Sequence, residues 1–232
     1  MPLLALHAVA KSYGALKVTD DITLSVTEGE TLGILGPNGA GKTTLFNLIS
    51  GDVRVDAGRV EYAGRDVTRL KPHQRCHAGI GRSYQVPQPF GNMSVFENLV
   101  TAACFGGQQT ERDAWRTAHE VLEQTGLMAH ANKPAGGLTL LDRKRLELAR
   151  ALATRPQLLL LDEIAGGLTE PEAAVLVGEL QRIKARGVTM IWIEHVVHAL
   201  LSLADRLFVI NFGQKLAAVS YTHLTLPTNR EV

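Results

Sequence analysis

Gly36-Pro37-Asn38-Gly39-Ala40-Gly41-Lys42-Thr43-Thr44 carries the spacing G-x-x-x-x-G-K-[ST], a loop that cradles phosphate groups with its backbone. Polyphosphate needs several N–H groups pointed inward at short range. Glycines at 36, 39 and 41 permit the tight turn and keep side chains out of the way. Asn38, Ala40 and Thr44 belong to the same run of backbone donors. Lys42 supplies a point charge to β- and γ-phosphates, and the Thr43 hydroxyl is of the kind that ligates Mg²⁺. The helix beginning here adds its positive N-terminal end. A Gly-rich turn with a coincidental Lys-Thr would not need the flanks found here. Residues 31–35 read as a short buried strand, and 45–50 read as a helix stopped by Gly51. Strand, loop and helix is the setting the loop requires, and it implies binding of a nucleoside triphosphate.

Outward from that loop, the chain has 232 residues, 45% of them apolar, which suits one large α/β domain with a subdomain. The formal net charge is +1, so nothing suggests electrostatic binding of nucleic acid or of an acidic membrane surface. Cys76 and Cys104 form no metal or disulfide pattern, which fits a reduced, cytosolic setting. No run approaches the roughly 20 apolar residues of a membrane span. The first residues, Met1-Pro2-Leu3-Leu4, lack the basic region of a secretory signal.

Residues 3–9 read as a first strand, and Ile22, Leu24 and Val26 alternate with polar residues as a half-buried one. Residues 58–64 read as an exposed strand bounded by glycines. The middle of the chain changes period. Ser94, with Glu97 three residues on, forms a capping box for a helix running to Cys104. A second helix is predicted over 111–125 with Trp115, Ala118, Leu122 and Thr125 along one stripe, and a third over 143–154, stopped by Arg155-Pro156. A helical subdomain at about 87–155 therefore interrupts an α/β core. Leu158-Leu159-Leu160-Leu161 is the continuous apolar run of a strand buried on both faces of a parallel sheet. A helix from Pro171 to Gly187 and strands at 189–193 and 206–212 complete the sheet, whose ligand belongs at the strand ends. Beyond residue 217 the pattern stops. Residues 218–232 read as a tail, either a disordered terminus or sequence foreign to the natural chain, such as read-through into adapter DNA.

A second set of residues belongs with the loop. Asp162, at the tip of the 158–161 strand, can hold Mg²⁺ through water beside Thr43, or can merely cap the next turn. Glu163 can polarise the water that attacks a γ-phosphate. His195 closes the following strand at the same sheet edge, where it either senses that phosphate or serves the structure. Gln85, where the core hands over to the helices, could reach both metal and water. Tyr13 reads equally as an aromatic stacked on a base and as a strand-end residue packed on the core.

The order Tyr13, 36–44, Gln85, 138–152, 158–163, 166–169 and His195 resembles the ATP-binding subunit of ABC transporters over residues 3–217. The resemblance implies a P-loop ATPase cassette: a parallel-sheet core, an antiparallel β part and an inserted helical subdomain. It implies ATP and Mg²⁺ as cofactors, with Thr43, Gln85 and Asp162 at the metal, Glu163 as base, His195 as switch and Tyr13 beside the adenine. Thr139 and Leu141 fall in the signature that meets a partner's nucleotide. The implied partners are a second ATP-binding subunit (the same or a different chain), two transmembrane permease subunits and an external substrate-binding protein, but no nucleic acid. The implied place is the cytoplasmic face of a bacterial inner membrane, held peripherally. Gly81-Arg82-Ser83-Tyr84-Gln85, residues 93–99 and residues 145–152 look more narrowly like the branched-chain amino acid importer group, whose relatives also carry urea or short amides. Two other readings stay open: a nucleotide-binding regulatory subunit with weak hydrolysis, and a soluble ABC-type ATPase outside transport.

This chain departs from the family where the signature is usually Leu-Ser-Gly-Gly-Gln. Leu138-Thr139-Leu140-Leu141-Asp142 keeps a hydroxyl at Thr139, places leucines where glycines let backbone approach a nucleotide, and adds the charge of Asp142, which Arg143, Lys144 or Arg145 must offset. Ile164 stands where Pro is usual, and Thr169 where Asp is common.

Overall fold

The leucines at 158–161 alternate between two cores. Leu159 and Leu161 pack among the helices, while Leu158 and Leu160 face the opposite way, toward the phosphate-loop helix. A strand with both faces covered has no use for polar residues, which accounts for its unbroken apolar run.

The computed structural model describes residues 1–220. Strands β1 (Leu4–Tyr13) and β2 (Leu16–Val26) form a hairpin, and β3 (Thr31–Leu35) leads through the loop into α1 (Lys42–Ser50). Strands β4 (Ala57–Tyr62) and β5 (Arg65–Asp66) precede α2 (Pro72–His77) and β6 (Ile80–Arg82). The helical part holds α3 (Val95–Thr101), α4 (Glu111–Gln124) and α5 (Leu140–Ala153). The core resumes with β7 (Leu158–Asp162), α6 (Glu170–Lys184), β8 (Thr189–Ile193), α7 (Val197–Leu201), β9 (Arg206–Asn211) and β10 (Gln214–Ser220).

One sheet has the strand order β10-β9-β3-β8-β7-β6, parallel throughout except for β10 against β9. The other, β2-β1-β4-β5, is antiparallel. Leu45, Phe46, Leu48 and Ile49 of α1 fill the space between the sheets, with Val9 and Ile22 from one and Ile34 and Ile193 from the other. Helix ends follow local chemistry. Gly51 stops α1 in the left-handed region at φ 85°. Ser94 and Glu97 cap α3 reciprocally, Glu97 N–H donating to Ser94 Oγ at 3.1 Å and Ser94 N–H to Glu97 Oε2 at 2.7 Å.

Some elements differ from the sequence expectation. The helix expected from Arg143 begins three residues earlier, because Thr139 caps it by accepting from Asp142 N–H. The helix expected to run to Cys104 is α-helical only to Thr101 and continues as a π turn over Ala102–Gly106. Trp115 is half exposed, resting edge-on against Phe96 with ring centroids 5.6 Å apart. The last strand runs past the expected end at 217, and Ala218, Val219 and Ser220 pair with Phe208, Leu207 and Arg206. The remainder of the expected tail, 221–232, lies outside the described residues. Among the described residues no helix is long and apolar enough to cross a membrane.

Leu160 is fully buried between sheet and α1. Truncating it to Ala leaves a cavity in a layer that cannot collapse, so Leu160→Ala should cost about 2–5 kcal/mol. Urea denaturation with an unchanged slope and a lower midpoint would show this; a midpoint equal to the parent's would place Leu160 outside the rigid core.

Candidate nucleotide-hydrolysis site

Four neighbouring strands, β3, β8, β7 and β6, end at one edge of the parallel sheet. They deliver in turn the phosphate loop, His195, Asp162 with Glu163, and Arg82 to Gln85. In the loop, Gly36 and Gly41 are enclosed by distant strands. A Cβ at Gly36 would sit 2.3 Å from the Ile210 carbonyl oxygen, and one at Gly41, which has φ 101°, would sit 2.5 Å from that of Val18. Asn38, Gly39 and the Thr43 side face solvent, so the concave side of the loop is open. The buried Lys42 ammonium donates to Gly36 O at 2.7 Å and Pro37 O at 3.0 Å. Burial pushes its pKa down, while Glu163 and Asp162 pull it up.

Asp162 is 2% exposed, and its Oδ1 has no hydrogen-bond partner. Its Oδ2 accepts from Arg82 Nη2 at 3.4 Å. Burial raises its pKa, Arg82 opposes the rise, and Glu163 adds to it. A buried carboxylate oxygen without a partner, at a strand tip beside an exposed Thr43 hydroxyl, fits a site for a hydrated divalent cation. Both residues line one cleft of about 600 Å³, which also takes in Asn47, Arg82, Gln85 and Arg150.

Glu163 occupies the left-handed region at φ 47°, unusual for a residue with a Cβ. Its carboxylate is held from two sides. His195 Nε2 lies 2.7 Å from Oε1, and Gln85 Nε2 donates to Oε2. With a carboxylate as acceptor, the imidazole donates its Nε2 proton. The structure thus brings Gln85, Glu163 and His195 into one cluster beside Asp162. Tyr13 ends β1, half exposed, with the Lys11 ammonium 5.5 Å from its ring centroid. It is not packed on the core. Thr139 and Leu141 stand apart from the cleft at the start of α5.

At that helix start, Thr139 Oγ1 donates to Asp142 Oδ2 at 2.9 Å. The charge of Asp142 is offset by Arg145 at 3.3 Å and approached by His130 at 3.5 Å. Of the three cations expected to do this, only Arg145 does. Arg143 donates to Gly136 O, and Lys144 turns into the core. Ile164 is buried among apolar neighbours, where an aliphatic chain serves, and Thr169 caps α6 together with Glu172.

Three residues to which the sequence gives no role in the cleft support the site. Arg82 donates to Asn47 Oδ1 at 2.7 Å, Ser50 Oγ at 2.9 Å and Asp52 Oδ2 at 2.8 Å as well as to Asp162, with its guanidinium 4.8 Å from the Tyr84 ring centroid. Glu194, 2% exposed, accepts from Ala165 N–H at 3.1 Å and His195 N–H at 3.0 Å. Lys144 joins Gln85 to Glu163 through their backbones. Arg82 lies within the stretch 81–85 and Glu194 next to His195, which was the available signal; Lys144 gave none beyond its charge.

The loop, the acid at a neighbouring strand tip and the carboxylate beyond it define a phosphate-loop ATPase. The family described as ABC transporter matches residues 19–166. A probable branched-chain amino acid transport ATP-binding protein LivG of Methanocaldococcus jannaschii is 33% identical, over 94% of this chain and 89% of its own length. The lipopolysaccharide export system ATP-binding protein LptB of Haemophilus influenzae is 32% identical, over 94% and 90%. A solved ADP conformation of an ATP-binding cassette of an ABC transporter superposes with a TM-score of 0.84 at 32% identity, over 95% of this chain and 91% of the other. This chain belongs to the ABC transporter family, as an ATP-binding subunit with ATPase activity.

Arg82 restrains the rise in the Asp162 pKa, and binding of a cation needs Asp162 ionised. Without the guanidinium the carboxyl holds its proton to higher pH, so Arg82→Ala should move the acid limb of the ATPase pH–rate profile toward alkaline pH. An unmoved limb would show that Arg82 does not act on Asp162.

Proposed function

We propose that this chain is the ATP-hydrolysing subunit of an importer, and that it powers uptake of branched-chain amino acids or related small amides. The observation that carries the reading is the convergence of the phosphate loop, Asp162, Glu163, Gln85 and His195 at adjacent strand ends. The substrate class rests on relatives named for branched-chain amino acid transport, with the export-system relative at similar identity as the competing direction of transport.

In this reading the loop amides and Lys42 bind the β- and γ-phosphates, and Tyr13 lies against the adenine. Thr43, Asp162 and Gln85 hold Mg²⁺, which neutralises phosphate charge when bound. Lys42 exchanges its two loop carbonyls for phosphate oxygens. Glu163 takes the proton of the attacking water on a lone pair left over, since each of its oxygens accepts one hydrogen bond, from Gln85 or from His195, and can accept a second. Two ATP-binding subunits close head to tail, Thr139 and Leu141 of each meeting the nucleotide of the other. The pair docks from the cytoplasmic side on two permease subunits served by an external substrate-binding protein.

A second reading, a nucleotide-binding subunit with weak hydrolysis, is favoured by Leu140, Leu141 and Asp142 in place of the usual signature residues. Glu163→Gln separates the two. As base, Glu163 should be worth about 10²–10⁴ in turnover, since it is removed without disturbing the metal ligands. ATP binding should persist, and light scattering should show a dimer that forms only with ATP. Turnover equal to the parent's would remove Glu163 from the chemistry. A chain that stays monomeric with ATP bound would favour the second reading or an obligate different partner.

The coupling surface is the stretch after Gln85. Asn98 pins the Phe90 backbone through Phe90 N–H to Oδ1 at 2.9 Å and Nδ2 to Phe90 O at 3.1 Å. The ring is left 47% exposed beside Arg150, a rigid apolar knob suited to a permease helix. Phe90→Ala should abolish transport in vesicles containing the whole complex while basal ATPase stays within about twofold, because no catalytic contact is lost. Equal loss of both would sink this assignment.

A further inference from the structure

Lys144 lies on the second turn of α5 and is 4% exposed. Its neighbours on the helix face elsewhere, Arg143 toward Gly136 and Arg145 into its pair with Glu179. A buried ammonium must be surrounded by acceptors. Lys144 takes no carboxylate partner among the described residues. It donates instead to two main-chain carbonyls, Gln85 O at 2.7 Å and Glu163 O at 3.2 Å.

Both carbonyls belong to residues of the catalytic cluster, and both lie in irregular backbone. Gln85 follows β6 with no sheet partner of its own. Glu163 sits just past the end of β7 in its left-handed conformation, anchored by its N–H to Ile193 O at 2.9 Å and by Gly166 N–H to its carbonyl at 3.1 Å. Lys144 therefore fixes the peptide planes from which the Gln85 amide and the Glu163 carboxylate project. The ammonium is itself carried by the helix that begins at Thr139. The two residues are less than two turns apart on one α-helix, a stiff connection.

We propose that Lys144 is a positioning residue that ties the Gln85 and Glu163 backbones to the start of α5, so that these three parts of the molecule shift together. In the dimer read above, on which this consequence rests, Thr139 faces the partner's nucleotide. Lys144 then links the base of one site to the contact made on the other. A methionine there keeps the length and burial but donates nothing, whereas an arginine keeps two donors in a planar fork.

The test uses the full chain with Lys144→Met and Lys144→Arg. Lys144→Met should lower kcat by about 10–100-fold, with KM for ATP within about threefold, since misplacing a base by around an ångström has that effect and the phosphate loop is untouched. Lys144→Arg should restore most of the rate. Without nucleotide, backbone hydrogen exchange across 84–87 and 163–166 should quicken about tenfold in Lys144→Met and return toward the parent rate in Lys144→Arg. Unchanged exchange, or a kcat that falls only with the folded fraction, would overturn the proposal. This exchange readout needs no dimer, so it separates failure here from failure of the dimer reading. In mixed dimers, Lys144→Met should slow turnover both in the chain that supplies Glu163 and in the chain that supplies Thr139. Slowing in the first alone would overturn the link through α5.

Discussion

In a parallel sheet buried on both faces, every strand must satisfy its backbone within the sheet and hide both sets of side chains. Such strands all point the same way, so neighbouring strands release the chain at the same edge. The placement of β3, β8, β7 and β6 depends on that constraint, and the site depends on the placement. Residues far apart in sequence meet there without a dedicated scaffold. The leucines of β7 thus matter twice, once as core and once because they aim Asp162 and Glu163.

The electrostatics of the edge are set by unequal burial. Asp162 is almost wholly enclosed and has one partnered oxygen; Glu163 is only partly enclosed and both of its oxygens are engaged. Two adjacent carboxylates in different surroundings are suited to different tasks, one to a cation and one to a proton. Arg82 joins the first of them to Asp52 and to α1, and so ties that environment to the helix that the phosphate loop opens.

Much of this was legible in the sequence because it is local. The phosphate loop has a fixed spacing, the 158–161 run has a composition that only a doubly covered strand needs, and the capping box at Ser94 and Glu97 spans four residues. The start of α5 was harder. Leu140 and Leu141 do not look like a helix's polar first turn, and the cap spacing of Thr139 and Asp142 was read as part of the signature instead. Arg82, Glu194 and Lys144 were harder to assign for a different reason. Their roles are made by partners far along the chain, and no short-range pattern distinguishes a buried lysine that donates to two carbonyls from an exposed one. The last strand was cut short because Ala218, Val219 and Ser220 lack a period of their own and become a strand only against β9.

The walls around the phosphate loop carry one more consequence. Gly36 is backed by Ile210 and Gly41 by Val18, and Gly213 N–H donates to Ala40 O at 3.0 Å. The loop is backed by β2 and by the β9–β10 hairpin, which meet there, Asp20 N–H donating to Gly213 O at 2.7 Å, although they lie far apart along the chain. A ribosome makes the loop long before it makes the hairpin that closes it. The wall behind Gly36 is therefore added only after β3, α1 and the helical part have been made. A fragment that stops short of β9 lacks that wall, however complete its motif.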